Sequence, residues 1–186
     1  MIKYLRIAPI ALLFTVATMI LIWQGLAMAA DLSGIDSDAQ AALDSLYRRT
    51  PEAKVLAQNA KGILVFPKIG KAGFIVGAQY GEGALLQNGN IVGHYNVAAA
   101  SYGLQAGVQS FGYAMFFMTD AALDSLNKKA GFEIGAGPSI VVVDAGKAKT
   151  LTTTTLRSDV YAFVFGQKGL MAGFGLQGSK ITRIGP

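Results

Sequence analysis

The chain carries one histidine and no cysteine, and these two counts bound its chemistry before any fold is considered. Thiol catalysis, disulfide scaffolds and cysteine zinc sites are excluded, and a multi-histidine metal site cannot be built from His94 alone. A metal would need a cage of carboxylates, yet the carboxylates are scattered. Asp36, Asp38 and Asp44 fall in one helical stretch and read as its solvated N-terminal face. Glu82, between Gly81 and Gly83, reads either as an acid or base in a glycine-lined cleft or as a turn carboxylate receiving backbone N–H groups, and the turn role is expected. His94 reads as a general base, as a pH-sensitive contact, or as a hydrogen-bonded structural residue. With no partner motif beside it, the structural role is expected. A serine, histidine and acid triad can come from remote residues, but no Gly-x-Ser-x-Gly elbow marks a nucleophile. A hydrolase built on Glu82 or His94 therefore ranks behind a binding role.

Two glycine motifs imitate nucleotide sites. Gly173 to Gly178 has the spacing of a dinucleotide fingerprint, and Gly173 to Lys180 resembles a phosphate loop with its last two residues inverted. Either would need a helix immediately after it, and no helical pattern follows. The positive charges are better organised. Arg48, Arg49, Lys54, Lys61, Lys68 and Lys71 fall within 24 residues that contain a single acid, Glu52. Interleaved with Leu46, Tyr47, Val55 and Leu56, they read either as an amphipathic basic face for anionic lipid headgroups or as a solvated helix surface. On the first reading Leu46, Tyr47, Val55 or Leu56 would insert into the bilayer. Nucleic acid is not expected as a partner at so modest a charge.

These residues must be held by elements that the patterning predicts. From Asp36 to Ala60, Ala39, Ala42, Leu43 and Leu46 recur at helical spacing, with Asp36 or Ser37 as N-cap. Thr50 and Pro51 then read as N-cap and first position of a second short helix. From Gly62 onward, short apolar runs separated by Gly, Pro or Asn read as strands: 63–66, 74–76, 84–86, 91–97, 104–109, 113–117, 139–143 and 161–165. Asn88 and Gly89 form the pair that a two-residue hairpin turn prefers. One helix interrupts the strands over 121–129, capped by Thr119 or Asp120, with Lys128 and Lys129 in its last turn and Gly131 in the left-handed terminating position.

With 23 glycines, 52% hydrophobic and 15% charged residues among 186, the chain is neither disordered nor a coiled coil. The order of elements predicts an α+β fold: a strongly curved, Gly-rich antiparallel sheet, as a sandwich or a partly closed barrel, with N-terminal helices and one inserted helix. A weak repeat of Gly-apolar-x-x-Gly-x-Gln at Gly73 and Gly103 supports the curvature. A small outer-membrane barrel is not expected, because its strands need roughly 9–11 residues of strict alternation and the runs look shorter.

The first 29 residues stand apart. Lys3 and Arg6, the apolar run from Ile7 to Leu26, and Ala27-Met28-Ala29 have the form of a secretory signal, with an uncleaved membrane anchor as the alternative. Its removal leaves 14 basic against 11 acidic side chains, a mild positive bias. The expected organisation is a signal over 1–29 and one domain over 30–186, exported and most simply periplasmic, with membrane association allowed.

At Ala60 to Lys68 and Lys71 to Gly77 the chain resembles the SYLF lipid-binding domain family, whose eukaryotic members are also called actin-binding. The likeness continues through Tyr80 to Gly83, Tyr102 to Gly107, Phe117 to Asp120 and Phe165 to Gly173, and covers about residues 36–184. The resemblance implies a non-enzymatic domain without cofactor that binds phospholipid membranes, phosphoinositides in eukaryotes, through a basic amphipathic N-terminal helix. Carried onto this sequence, that role falls on Arg48, Arg49 and Lys54, then on Lys61, Lys68 and Lys71. Bacterial relatives are exported, so the implied partner is an anionic phospholipid surface of a cell envelope. The alternative is a periplasmic structural or interaction module that engages an envelope protein without binding lipid.

Overall fold

The structure is a computed structural model that describes residues 32–73, 76–102, 107–128, 131–135, 137–143, 157–168 and 178–186. The proposed signal, the Gly173 to Gln177 part of the glycine motifs, Lys129, and parts of the runs read at 74–76 and 104–109 lie outside the described residues. A compact unit extends from Ile35 to Pro186. Its first helices are α1, described over residues 32–49 and within this unit from Ile35, and α2, Pro51–Ala57. Strands β1 (Gly62–Gly73), β2 (Val76–Gln87), β3 (Asn90–Tyr102) and β4 (Gly107–Phe117) follow, then α3 (Asp120–Asp124), a 3-10 turn (Ser125–Asn127), and β5 (Phe132–Glu133), β6 (Ile140–Val143), β7 (Val160–Lys168) and β8 (Lys180–Gly185).

Among the described residues the strands form one eight-stranded sheet in the order β5-β8-β3-β2-β1-β4-β7-β6, curled into a half-barrel in an α+β arrangement. The fold class is as expected, with one amendment: β6 runs parallel to β7, so the sheet is mixed. The strands are also longer than the sequence suggests, at 12, 12, 13 and 11 residues for β1 to β4. Strand length therefore does not argue against a barrel. Strict alternation is nevertheless absent, since Leu64 to Phe66 and Tyr113 to Phe117 are buried without a break.

The strands look fragmented in sequence because residues that usually end a strand lie inside these. Pro67 sits at a register shift between β1 and both of its neighbours, a bulge that absorbs the missing N–H. The bulge drives β1 backbone onto β2, and Gly81 and Gly83 make room: a Cβ on Gly81 would stand 2.8 Å from the Lys68 carbonyl oxygen, and one on Gly83 would overlap that of Val65. The β2–β3 turn forms as expected, with Asn88 at φ 52° and Gly89 at φ 81°, the positive angles of a two-residue hairpin.

Opposite residues in paired strands share a face, and both faces of the sheet are covered. On one, Leu64, Phe66, Leu85, Tyr95, Tyr113, Met115 and Phe117 join Leu123 and Leu126 in the main core, with Phe117 and Phe132 edge to face at 6.1 Å. On the other, Val65, Ala84, Ala114 and Phe116 are buried, while Ile63 and Leu86 share a cleft with Leu43 of α1. The helical layer lies on this second face, where α1 and α2 bury Ile35, Ala39, Leu43, Leu46, Ala53 and Leu56. Each large side chain so buried contributes about 1.5–3 kcal/mol.

The inserted helix starts as read, with the Thr119 hydroxyl accepting from the Ala122 N–H at 3.2 Å. It ends sooner. The α-helix stops at Asp124, the Ser125 hydroxyl turns back to the Ala122 carbonyl, and Lys128 is already extended. Lys128 is thus outside the last turn, although Gly131 does take the positive φ expected of it, 78°.

Candidate functional site

The bend between the two helices places the first group of basic residues. Pro51 opens α2, and Thr50 stands at its N-cap position with φ −138° and ψ 81°, though its side chain makes no capping bond. The chain still stays nearly helical, because the Thr50 N–H donates to the Leu46 carbonyl at 2.8 Å and the Ala53 N–H to that of Thr50 at 3.0 Å. Arg48 and Arg49 at the end of α1 and Lys54 on α2 are all exposed. Lys61, just before β1, is held through its backbone N–H on the Phe117 carbonyl at 2.7 Å. Its ammonium lies 3.9 Å from Asp120 in an exposed pair, a contact worth little against solvent.

Lys68 and Lys71 are carried elsewhere. Both lie on β1, where an extended rise puts Lys71 about 30 Å along the strand from Lys61. Lys68 faces Glu82 across the β1–β2 register, and Lys71 faces Gln79. The six cations close in sequence are therefore not one patch. Arg48, Arg49 and Lys54 stand at the helical bend, Lys61 at the near end of β1, and the other two toward its far end.

The apolar residues interleaved with them also divide. Leu46 is 3% exposed and Leu56 is 2% exposed, so both belong to the packing beneath the helices and cannot insert into a bilayer from this fold. Tyr47 is half-buried. Val55, at 46%, presents its side chain to solvent beside the cations.

The residues weighed for catalysis, Glu82 and His94, are each engaged in other bonds. Glu82 sits within β2 rather than in a turn, and accepts the Tyr80 phenol at 2.6 Å. His94 is buried and does have an acidic partner: its Nε2 lies 2.6 Å from an Asp36 carboxylate oxygen, and its Nδ1 2.5 Å from the Pro186 backbone oxygen. Asp36 is no N-cap, since residues 32–35 before it are already helical; it lies within α1 and clasps that helix to β3. With both ring nitrogens occupied, neither is left to activate a nucleophile. Among the described residues no group of three potential metal ligands gathers. Nearby, Arg183 donates to the carbonyls of Val92 and Gly185 at 3.1 Å each and lies 6.0 Å over the Tyr95 ring, closing the β3–β8 edge.

A groove of about 500 Å³ opens between the helical layer and the β2–β3 hairpin. Gln40, Leu43, Asp44 and Tyr47 of α1 form one wall; Ala57, Gln58 and Ala60 the end; Ile63, Leu86, Asn88 and Gly89 the other wall. Burial, reinforced by the Asp44 carboxylate, pushes the Tyr47 phenol up to about 12. The sequence reading missed this site. Its signal is the spacing of Gln40, Asp44 and Tyr47, which puts a polar stripe beside Leu43 on one helix face. Two polar groups are buried elsewhere without a partner among the described residues: the Tyr113 hydroxyl and the Gln79 carbonyl oxygen, although the Gln79 amide donates to Ser179 at 2.7 Å.

A curled α+β sheet with a cationic helical bend and an open groove offers surfaces suited to binding. Comparison with known families agrees. Residues 98–184 match the family described as Ysc84, Las17-binding protein actin regulator, which is the SYLF family that the motifs resemble. It is a family of binding domains and not a known enzyme family. The match begins within β3 and runs into β8, so it includes α3 but leaves α1, α2 and the basic cluster outside it. No curated protein matches the chain.

Proposed function

We propose that the domain docks on anionic phospholipid membrane surfaces of the cell envelope through the bend between α1 and α2. The observation that carries this reading is the exposure of Arg48, Arg49 and Lys54 together with Val55 on one short helical corner. Each cation near such a surface contributes ~1 kcal/mol, which decays within a Debye length. Lys61, whose ammonium is 3.9 Å from Asp120, stands apart from that corner, and Lys68 and Lys71 on β1 would meet the membrane only in a different orientation. The signal-like segment over 1–29 would export the protein to the periplasm or tether it at the membrane, and 30–186 would act as one domain.

Co-sedimentation of the full chain with neutral and anionic vesicles tests the reading. Binding to anionic vesicles should exceed binding to neutral ones and fall with salt. Arg48→Glu with Arg49→Glu should remove that excess, at least about tenfold in affinity at ~1 kcal/mol per charge. An unchanged excess would show that the surface is wrongly assigned. A second reading, a protein-interaction module, has its own support in Val141 and Val142. These are 37% and 49% exposed on β6, the end strand of the sheet among the described residues, where an added strand could pair. The family description, which names binding of another protein, is consistent with it. A strictly monomeric mass for the purified chain would count against self-association through this edge.

A further inference from the structure

The groove beside α1 has a lining that surface docking does not use. Asp44 is its one ionised side chain, and its other polar groups are the Tyr47 phenol and the amides of Gln40, Gln58 and Asn88. A phosphate inside it would face Asp44 with no lining cation to compensate. A purely apolar ligand would strip water from Asp44 and three amides without replacing their hydrogen bonds. A cation on a short aliphatic stem meets each requirement: Asp44 pairs with it, the Tyr47 ring offers an electron-rich face, and Leu43, Ile63 and Leu86 cover the methylenes.

The rim supplies the opposite charge. Arg48 follows Asp44 by one helical turn and so projects on the same side of α1, with no ion pair joining the two among the described residues. Lys61 stands between Ala60 and Gly62, both of which line the groove, and its ammonium, now 3.9 Å from Asp120 in an exposed pair, would have to exchange that partner for the phosphate. A volume of about 500 Å³ exceeds what an ammonium alone needs and lies in the range of small-molecule sites.

We propose that this groove binds a zwitterionic aminoalkyl phosphate, the chemistry of a phosphoethanolamine headgroup, with the ammonium on Asp44 and the phosphate toward Arg48 and Lys61. The proposal rests on the docking reading for its rim cations. It goes beyond that reading by making recognition selective for an amine.

Two arms test it on the full chain. In the first, vesicles of constant anionic content are prepared with and without phosphatidylethanolamine. The added lipid should tighten binding about tenfold, the worth of one charge-assisted hydrogen bond, and the gain should vanish in Asp44→Asn while the salt-sensitive anionic binding remains. In the second, soluble O-phosphoethanolamine is titrated while backbone amide NMR shifts are followed at Asp44, Tyr47, Gln58 and Asn88, with inorganic phosphate as the control. Shifts from O-phosphoethanolamine that phosphate does not produce, without any effect of the lipid, would support the groove and assign it to a free aminoalkyl phosphate. Equal shifts from phosphate would overturn the proposal, since the amine would then play no part. Absence of both the lipid effect and the shifts would also overturn it, and anionic binding that persisted would leave the docking reading intact.

Discussion

The two faces of the sheet are covered in different ways, and the difference shows where binding can reside. Under α3 and β5 the cover is closed: Phe117, Leu123, Leu126 and Phe132 are all at most 8% exposed and pack as one apolar cluster. Under α1 and α2 the cover is narrower. Leu43 and Leu46 are buried, but Asp44 and Tyr47 on the same helix border an open cleft. A face sealed by apolar contact gives stability and leaves no room for a ligand. A face covered by a helix with a polar stripe gives up some burial and gains a site. Each layer can therefore be challenged separately.

The largest effect should come from the closed face. Phe117→Ala is expected to cost about 3–5 kcal/mol, read as a shift in the urea midpoint, while Leu43→Ala on the groove wall should cost about 2 kcal/mol, because the truncated site opens to water and no closed cavity remains. Equal losses would mean that the helical layer packs as tightly as the core and that the comparison fails. Next is Gly83→Ala, whose new Cβ would overlap the Val65 carbonyl. It should cost about 3 kcal/mol by forcing β1 and β2 apart at the bulge, and a near-neutral result would show that the bulge yields freely. Asp36→Ala should cost about 1.5–3 kcal/mol, the range for a hydrogen bond to a charged group. Since the clasp ties α1 to β3, amide exchange should rise mainly in α1 and little in β4 or β7. Tyr113→Phe should move in the opposite direction and stabilise by about 1 kcal/mol, because it removes a buried hydroxyl that has no partner among the described residues.

How far the sequence discloses this arrangement depends on the range of each interaction. The Asn88-Gly89 turn, the break at Pro51, the Thr119 cap and the left-handed Gly131 are set by neighbouring atoms, and all are legible. The long strands are not, because Pro67, Gly81 and Gly83 look like separators when taken singly. They are compatible with a strand only as a set, a bulge on β1 and the two glycines that receive it. Asp36 and His94 are distant in sequence, and nothing local to either announces the other. The amphipathic pattern of the helices is legible as a pattern, but not its destination. Leu46 and Leu56 could as well face a bilayer as a sheet, and the sheet has them. Charge clustering misled for a simpler reason: a helical bend keeps Arg48, Arg49 and Lys54 together, while an extended strand carries Lys68 and Lys71 away.

The smallest effect expected is also the one that addresses the groove without any ligand. In the folded protein the Tyr47 phenol ionises near 12 rather than at its ordinary 10.0, because burial and the Asp44 carboxylate both disfavour the phenolate. The folded state therefore binds that proton more tightly than the unfolded chain does. Its contribution to stability is complete below about pH 10 and is lost as pH rises toward about 12. Tyr113, pushed up by burial alone, acts in the same direction, and so does Tyr95, where burial outweighs the opposing pull of Arg183. Alkaline weakening is thus shared between the two faces, and Tyr47→Phe separates them. Between about pH 9 and about pH 11 the urea midpoint of this variant should fall slightly less than that of the unmodified chain, by a modest amount because Tyr47 is only half-buried and solvent screens its surroundings. Parallel falls would place the whole effect on the closed face and would mean that water already reaches the Tyr47 hydroxyl freely. The groove would then offer its ligand a solvated rim instead of a half-desolvated phenol.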